Sequence, residues 1–239
     1  MEDVHWWFVA RRRIFLSVLD RYFKQNGATA RRILDIGCGT GTMLTYLSRY
    51  GDAEGIDVDE NAIQYCQARG LTRVSQAGAD HLPFAPNTFE LVTALDVIEH
   101  VDDDRAAFRE ALRVLHPGGE FLLTVPAYRF LWGRQDDISL HKRRYVAREI
   151  RERLQSAGFE VVRLTYINAI LFPAIAAVRL LRRVLPKPAT LESDFSFPAP
   201  RPVNSVLGQV FGAERFFVTR FDIPFGVSIM ALARKPNAG

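Results

Sequence analysis

Three glycines at alternate positions, Gly37, Gly39 and Gly41, follow a short apolar run that holds one acid: Arg32 to Gly41 reads RILDIGCGTG. Glycine lets the backbone turn sharply and come close to a ligand. The helix that follows aims unpaired N–H groups back at that ligand. Two chemistries use such a cradle. Dinucleotide sites carry G-x-G-x-x-G and seat a pyrophosphate on the helix N-terminus. Here the spacing is G-x-G-x-G, and Asp35 stands two residues before the first glycine. A carboxylate at that point repels a pyrophosphate but suits a ligand with a cationic end. A second acid, Asp57, ends the next apolar segment, AEGIDV. An acid at the end of a second strand grips a ribose diol, so Asp57 supports an adenosine cofactor without choosing between the two chemistries. A third group, Asp96-Val97-Ile98-Glu99-His100, closes the apolar run Phe89 to Leu95. His100 and His141 are the candidate general bases, because histidine titrates near working pH.

The elements that must carry these groups follow from periodicity. Ile14, Phe15, Val18, Leu19, Tyr22 and Phe23 make an amphipathic helix over 11–23, stopped near Asn26-Gly27, with Arg11, Arg12 and Arg13 on its solvated side. Ahead of it, His5, Trp6, Trp7 and Phe8 are either a packed terminal segment or an aromatic lid over a ligand. The glycine run sits between a strand and a helix. Ala53 to Val58 is a second strand, and Asp59 caps a helix that ends at Gly70. A short strand over 72–76 leads into Gly78-Ala79-Asp80. Phe89 to Leu95 is strand four, nearly all apolar, as a strand covered on both faces should be. Asp102, Asp103 and Asp104 complement the dipole of the next helix, which His116-Pro117-Gly118-Gly119 stops. Glu120 to Val125 is strand five. Residues 127–145 form a polar, aromatic loop with Trp132 and HKRRY, too long for a mere connector. A helix over 147–157 and a strand over 160–165 follow, and Gly226 to Ala233 is the last strand.

D-I-G-C-G-T-G resembles the first motif of the class I S-adenosylmethionine-dependent methyltransferases, whose methyl donor carries an ammonium and a sulfonium and no phosphate. His81-Leu82-Pro83-Phe84 with Thr88-Phe89-Glu90 resembles the family's "LPF…SFD" passage. The resemblance covers Ile33 to about Val125, weakens through Thr165 and returns at the last strand. It is closest to the broad type-11, quinone-methyltransferase-like group, and HWWF…RRR with HKRRY looks like a bacterial subgroup of it. It implies a Rossmann-like α/β fold: a seven-stranded, mostly parallel sheet, an antiparallel last strand and helices on both faces. To this the sequence adds an N-terminal helix and a helical insertion between strands six and seven. It also implies S-adenosyl-L-methionine as cofactor and S-adenosyl-L-homocysteine as product. Asp35 with Gly37, Cys38, Gly39 and Gly41 would hold the methionine end, Asp57 and Val58 the ribose, Asp80 and His81 the adenine, and Asp96 would lie near the sulfonium. In quinone O-methyltransferases a cluster like Asp96, Glu99 and His100 has been taken as a divalent-metal site, and these ligand types suit Mg²⁺ or Mn²⁺. Many relatives with the motif are metal-free, so no metal is expected.

At 239 residues, 48% hydrophobic and 24% charged, one globular domain with insertions is expected. It divides into an N-terminal lid and helix (1–27), a cofactor-binding core (28–165), a helical cap or substrate insertion (166–225) and the last strand and tail (226–239). Cys38 and Cys66 have no metal-ligand spacing and make no disulfide framework, which points to a reducing, cytoplasmic compartment. No signal peptide or membrane-length apolar run is read. In the insertion, AILFPAIAAVRLLRRVL carries Arg179, Arg182 and Arg183 on one face. It is either a helix on a membrane surface or over an apolar substrate, or an ordinary cap helix. Residues 186–202 read as Pro-rich and extended, and 206–217 as another helix. Nucleic acid is not an expected partner: net charge is only +4, and Leu95-Asp96-Val97-Ile98 lacks the D/N-P-P-aromatic motif of base-amine methylation in this fold. The expected acceptor is a small molecule, with apolar or lipid-linked ones favoured and O- or C-methylation foremost. A nicotinamide oxidoreductase and a non-catalytic S-adenosylmethionine-binding protein are the alternatives.

Overall fold

The computed structural model describes residues 4–23, 31–184 and 200–237, the side chains of 182–184 excepted. The first helix, α1, spans Trp6–Tyr22. Strand β1 is Arg32–Ile36 and helix α2 Thr42–Leu47, with the glycine run between them. β2 (Asp52–Asp57), α3 (Glu60–Ala68), β3 (Val74–Gln76) and β4 (Phe89–Leu95) follow. Then come α4 (Asp104–Val114), β5 (Leu115–Pro126), α5 (Arg134–Ile138), α6 (Ala147–Ala157) and β6 (Glu160–Ile167). The insertion supplies α7 (Phe172–Val184), α8 (Arg201–Ala213) and α9 (Arg215–Val218), and β7 is Ser228–Arg234. The strands form one sheet in the order β3-β2-β1-β4-β5-β7-β6. β7 runs antiparallel to both neighbours and the other pairs are parallel, as the resemblance implied.

Alternation along the central strands builds the two faces. Leu34, Val92 and Leu123 point to one side, where Phe108 and Ala111 of α4 and Ile150 and Leu154 of α6 cover them. Ile33, Leu91 and Leu122 point to the other, covered by Ile14, Val18 and Leu19 of α1 and by Phe211 of α8. Because β1 and β4 lie side by side, the loops after them, one bearing the glycines and one bearing Asp96 to His100, open at the same carboxyl edge. Open α/β sheets bind ligands at that edge.

The structure revises several expectations. α1 starts at Trp6, with His5 as its N-cap accepting from the Trp7 N–H, so the aromatic run is the helix's first turn. α8 packs against that turn. Asn204 accepts from the Trp6 N–H and donates to the Val4 carbonyl, and Phe211 meets both indoles. Arg11 is not solvated: it is buried, paired with the Asp96 carboxylate, and it donates to Thr124 Oγ1 at 2.9 Å. A 3.6-residue count cannot reveal this, because the acid that Arg11 reaches is held by the sheet edge and not by the helix. α4 ends at Val114, just ahead of His116 to Gly119 as expected, but β5 already starts at Leu115, because those four residues make a bulge against β4. α8 begins at Arg201, earlier than the expected helix start near 206, with Pro202 in its first turn, where a missing N–H costs nothing. Among Asp102 to Asp104, Asp103 caps α4 through the Ala106 N–H, whereas Asp104 is buried. The expected stop at Asn26-Gly27, residues 186–199 and the side chains of Arg182 and Arg183 lie outside the described parts.

Losing Arg11 would leave the Asp96 charge without its partner, at a cost of about 3 kcal/mol, the low end for a broken buried pair because Asp96 is a third exposed. Arg11→Met should therefore lower the urea midpoint of unfolding by that equivalent. An unchanged midpoint would mean that apolar packing alone docks α1.

Candidate active site

The glycine loop forms a crevice of about 180 Å³ whose wall includes Asp35, Gly37, Cys38 and Gly39. Gly37, Gly39 and Gly41 all have positive φ, of 68°, 53° and 77°. At Gly37 a Cβ would also lie 2.4 Å from Val97 Cγ2, so the β1 loop and the β4 loop close on each other only with glycine there. Cys38 is held by its N–H to the Ile56 carbonyl at 2.9 Å. Asp57 accepts from the Gly39 N–H at 2.8 Å and the Asp59 N–H at 3.0 Å, which ties the end of β2 to the loop. Each of its oxygens keeps a second lone pair for a hydroxyl.

Asp35 is buried in this wall and accepts from Thr93 Oγ1 at 2.5 Å. Burial pushes its carboxyl up to about 7; the Thr93 bond opposes this, and the Asp57 charge adds to the rise. No cation pairs with it among the described contacts. A buried acid without a counter-charge, facing a crevice whose floor is glycine backbone, matches a ligand with a cationic end. S-adenosyl-L-methionine therefore fits these residues.

Phe8, Arg11 and Asp96 form a partition, since they line both this crevice and a larger cavity of about 720 Å³. Asp96 has φ +59° and its N–H bonds the Thr124 carbonyl at 3.0 Å. Its carboxylate accepts from Arg11 and from Thr124 Oγ1. Burial would raise its pKa, but the Arg11 guanidinium outweighs that and holds it below the usual range.

The cavity beyond is mostly apolar. Trp6 and Trp7 of α1, Ile175 and Val178 of α7 and Leu207 of α8 line it. One end is polar, with Glu99, His100 and His141. Glu99 is fully buried and neither carboxyl oxygen has a hydrogen-bond partner. Burial, and then the Asp96 charge, push its pKa well up. The His100 and His141 rings meet edge to face at 4.8 Å. Burial, then His141, lower the pKa of His100. Glu99, His100 and His141 bring ligand-type atoms within 4.8 Å of one another. Asp96 is not in that group, so the D-x-x-E-H set is not assembled as the motif spells it.

HKRRY closes this end. Lys142 pairs with Asp102 and Arg143 with Asp104, which also accepts from the Tyr145 hydroxyl at 3.0 Å. Arg144 donates to Asp136 from Nε at 2.7 Å and Nη2 at 3.0 Å. Asp136, fully buried, also meets His141 Nδ1 at 2.8 Å.

The structure thus gathers Asp35, Gly37, Cys38, Gly39 and Asp96 around the crevice, with Asp57 bonded to its loop and Gly41 as the N-cap of α2. His100 and His141 sit on the far side of the partition. Val58, Asp80 and His81 are exposed and do not line the crevice. Residues that sequence reasoning missed are Arg11, Asp136 and Arg144. Arg11 carried no signal beyond its place in a basic run. Asp136 sits in a loop whose length alone marked it.

Residues 34–123 match the model of a methyltransferase domain. A probable S-adenosylmethionine-dependent methyltransferase of Mycolicibacterium smegmatis is 28% identical over 165 residues, which are 67% of this chain and 62% of that protein. A ubiquinone biosynthesis O-methyltransferase of Vibrio cholerae is 27% identical over 109 residues, 43% of this chain and 44% of that one. The chain spans less than two thirds of the length of these relatives. The crystal structure of an S-adenosylmethionine-dependent methyltransferase from Mesorhizobium loti superposes with a TM-score of 0.60 at 16% identity, covering 98% of this chain and 100% of that one. The glycine loop, the acids around it and these likenesses together identify a methyltransferase domain over residues 34–123 and support a class I S-adenosylmethionine-dependent methyltransferase of the type-11 group.

Proposed function

We propose that the protein transfers a methyl group from S-adenosyl-L-methionine to a small acceptor with a large apolar part, at an oxygen or a carbon. The observation that carries this is the shared wall: one partition separates a crevice suited to a cationic cofactor end from an apolar cavity with a polar end. When bound, the cofactor supplies a methyl carbon activated by a sulfonium. The chain supplies alignment and exclusion of water. Asp35 faces the ammonium, and Arg11 and Arg12, which both line the crevice, face the carboxylate of the methionine end. On this reading Asp57, bonded to the glycine loop, grips the ribose, and Val58, Asp80 and His81, exposed outside the crevice, are the candidate contacts for the rest of the adenosine. Trp6, Trp7, Ile175 and Leu207 enclose the apolar part of the acceptor, and His100 and His141 stand at its reacting end as the candidate bases. The longer glycine spacing of dinucleotide sites is missing, and Asp35 would have no role in them.

Affinity for the product should depend on pH through Asp35. Below about pH 7 its carboxyl is protonated and the attraction for the ammonium is absent. Calorimetry should show S-adenosylhomocysteine binding weakening about tenfold per pH unit below that point, a dependence lost in Asp35→Asn. Binding of NAD in its place would overturn the assignment.

A lipid-linked acceptor met at a membrane surface is the favoured source. Supporting it, Val178 and Leu181 on α7 and Val203 and Val206 on α8 are exposed near the cavity wall. No described helix is long and apolar enough to cross a membrane. Radiolabel from the methyl donor, incubated with lysate and extracted into organic and aqueous phases, should appear in the organic phase, and the protein should float with anionic vesicles. Label in the aqueous phase only, with no flotation, would assign a water-soluble acceptor.

No metal is needed on this reading, because the Asp96 charge is already matched by Arg11. Chelator-treated protein should keep its transfer rate. A loss restored by Mn²⁺ would instead make Glu99, His100 and His141 a cation site.

A further inference from the structure

Asp136 has no counterpart in the chemistry read from the sequence, yet it is among the most heavily bonded side chains near the cavity. It is fully buried. Arg144 reaches it twice, at 2.7 Å and 3.0 Å, and the Gly133 N–H donates at 2.8 Å. Its backbone carbonyl also takes the His141 N–H at 2.9 Å. Arginine is always a cation and has no acceptor, so a carboxyl that receives its fork together with a backbone N–H is an ionised acceptor on both oxygens. The remaining partner, His141 Nδ1 at 2.8 Å, then has to be the donor.

In the neutral ring that fixes the other nitrogen. A neutral imidazole with its proton on Nδ1 has a bare lone pair on Nε2. His141 Nε2 lies 3.9 Å from Glu99 Oε1, beyond hydrogen-bond reach, so Glu99 does not consume that lone pair. Both groups line the cavity, on the far side of the partition from the glycine loop. Two neighbouring groups result: a bare nitrogen that can only accept, and a buried carboxyl with no partner of its own.

We propose that Asp136 is a positioning residue for the transfer, holding His141 in the tautomer whose bare Nε2 receives the proton of an acceptor hydroxyl, with Glu99 as the second point of contact for that hydroxyl or for one beside it. This rests on the methyl-transfer reading and narrows it to oxygen. As the acceptor oxygen bonds to the methyl carbon, the carbon–sulfur bond breaks and leaves its electron pair on sulfur. The hydroxyl proton passes to Nε2. Without Asp136 the ring is free to turn or to move its proton to Nε2, and the hydroxyl meets a donor instead of an acceptor.

The test needs no identified acceptor for its first arm. Nitrogen NMR of the intact protein labelled in histidine, with His141 assigned by loss of its signals in His141→Gln, should show Nδ1 protonated and Nε2 bare at neutral pH. The reverse tautomer, or a ring protonated on both nitrogens, would overturn the proposal. The second arm uses transfer to a simple phenol or catechol probe. Asp136→Asn should lower kcat by on the order of 10²-fold, leave the Kd for S-adenosylhomocysteine unchanged and move His141 to the other tautomer. Asp136→Glu should recover part of the rate. In a His141→Gln background Asp136→Asn should add nothing; a further loss there would reduce Asp136 to a structural residue. If Asp136→Asn does not fold, the wild-type spectrum still decides. Should the protein bind no S-adenosylhomocysteine, the methyl-transfer reading fails while the tautomer is still measured by the first arm.

Discussion

One charge pair organises the binding edge of the molecule. α1 lies outside the sheet, and its Arg11 side chain reaches across to Asp96 at the end of β4 and Thr124 in β5. Asp96 needs such support, because a non-glycine residue at φ +59° costs of order 1–3 kcal/mol. The Thr124 carbonyl takes its N–H and Arg11 takes its carboxylate, so the strained turn is satisfied from both sides. The same contact sets the helix where it divides the space above the sheet. Two chambers with a common wall follow from one arginine, and in-line transfer between two bound molecules needs that arrangement.

The loop over 127–145 shows charge used inward. HKRRY reads as a basic patch, and a basic patch invites an anionic partner. In the fold its cations are taken up by Asp102, Asp104 and Asp136. Backbone bonds add to this: Lys142 N–H to the Glu99 carbonyl at 2.9 Å, and Tyr128 N–H to the Tyr145 carbonyl at 2.8 Å. Asp104 stitches the loop to α4 and α6 as well, through Arg143, Arg153 and Tyr145. The stretch is a clamp on the β4 loop. With those charges neutralised locally, the modest excess of +4 offers little to a phosphate backbone.

How much of this the sequence discloses depends on the range of the interaction. The glycine loop, β4 and the helices between strands are local patterns, and Phe89–Leu95 was readable to the residue. β7 followed from resemblance and not from pattern, since nothing in SIMALAR tells antiparallel from parallel. The inward turn of Arg11 is unreadable locally: its partner lies 85 residues away, and a single buried cation weakens the apolar stripe that marks a helix face. Trp6 and Trp7 read equally as packing or as a lid; in the fold they pack on Phe211 and also line the cavity. His116 to Gly119 mark the end of α4 but hide the start of β5, because Pro and Gly read as a break while here Gly118 donates to the Lys235 carbonyl inside a strand bulge.

Asp35 and Asp96 show why two acids at one edge are not redundant. Both line the crevice, Asp35 near the end of β1 and Asp96 just past the end of the neighbouring β4. Asp96 has a resident cation, so its charge is neutralised before any ligand arrives. Asp35 has a hydroxyl and burial, so its charge is costly and stays uncompensated. A cation entering the crevice gains most at the acid that has none, and that acid is the one beside the glycine loop. Asp96 instead keeps Arg11 in the wall that the crevice and the larger cavity share. A pyrophosphate would meet an acid where it needs backbone N–H groups alone, so the electrostatics of the crevice discriminate between cofactors before shape does.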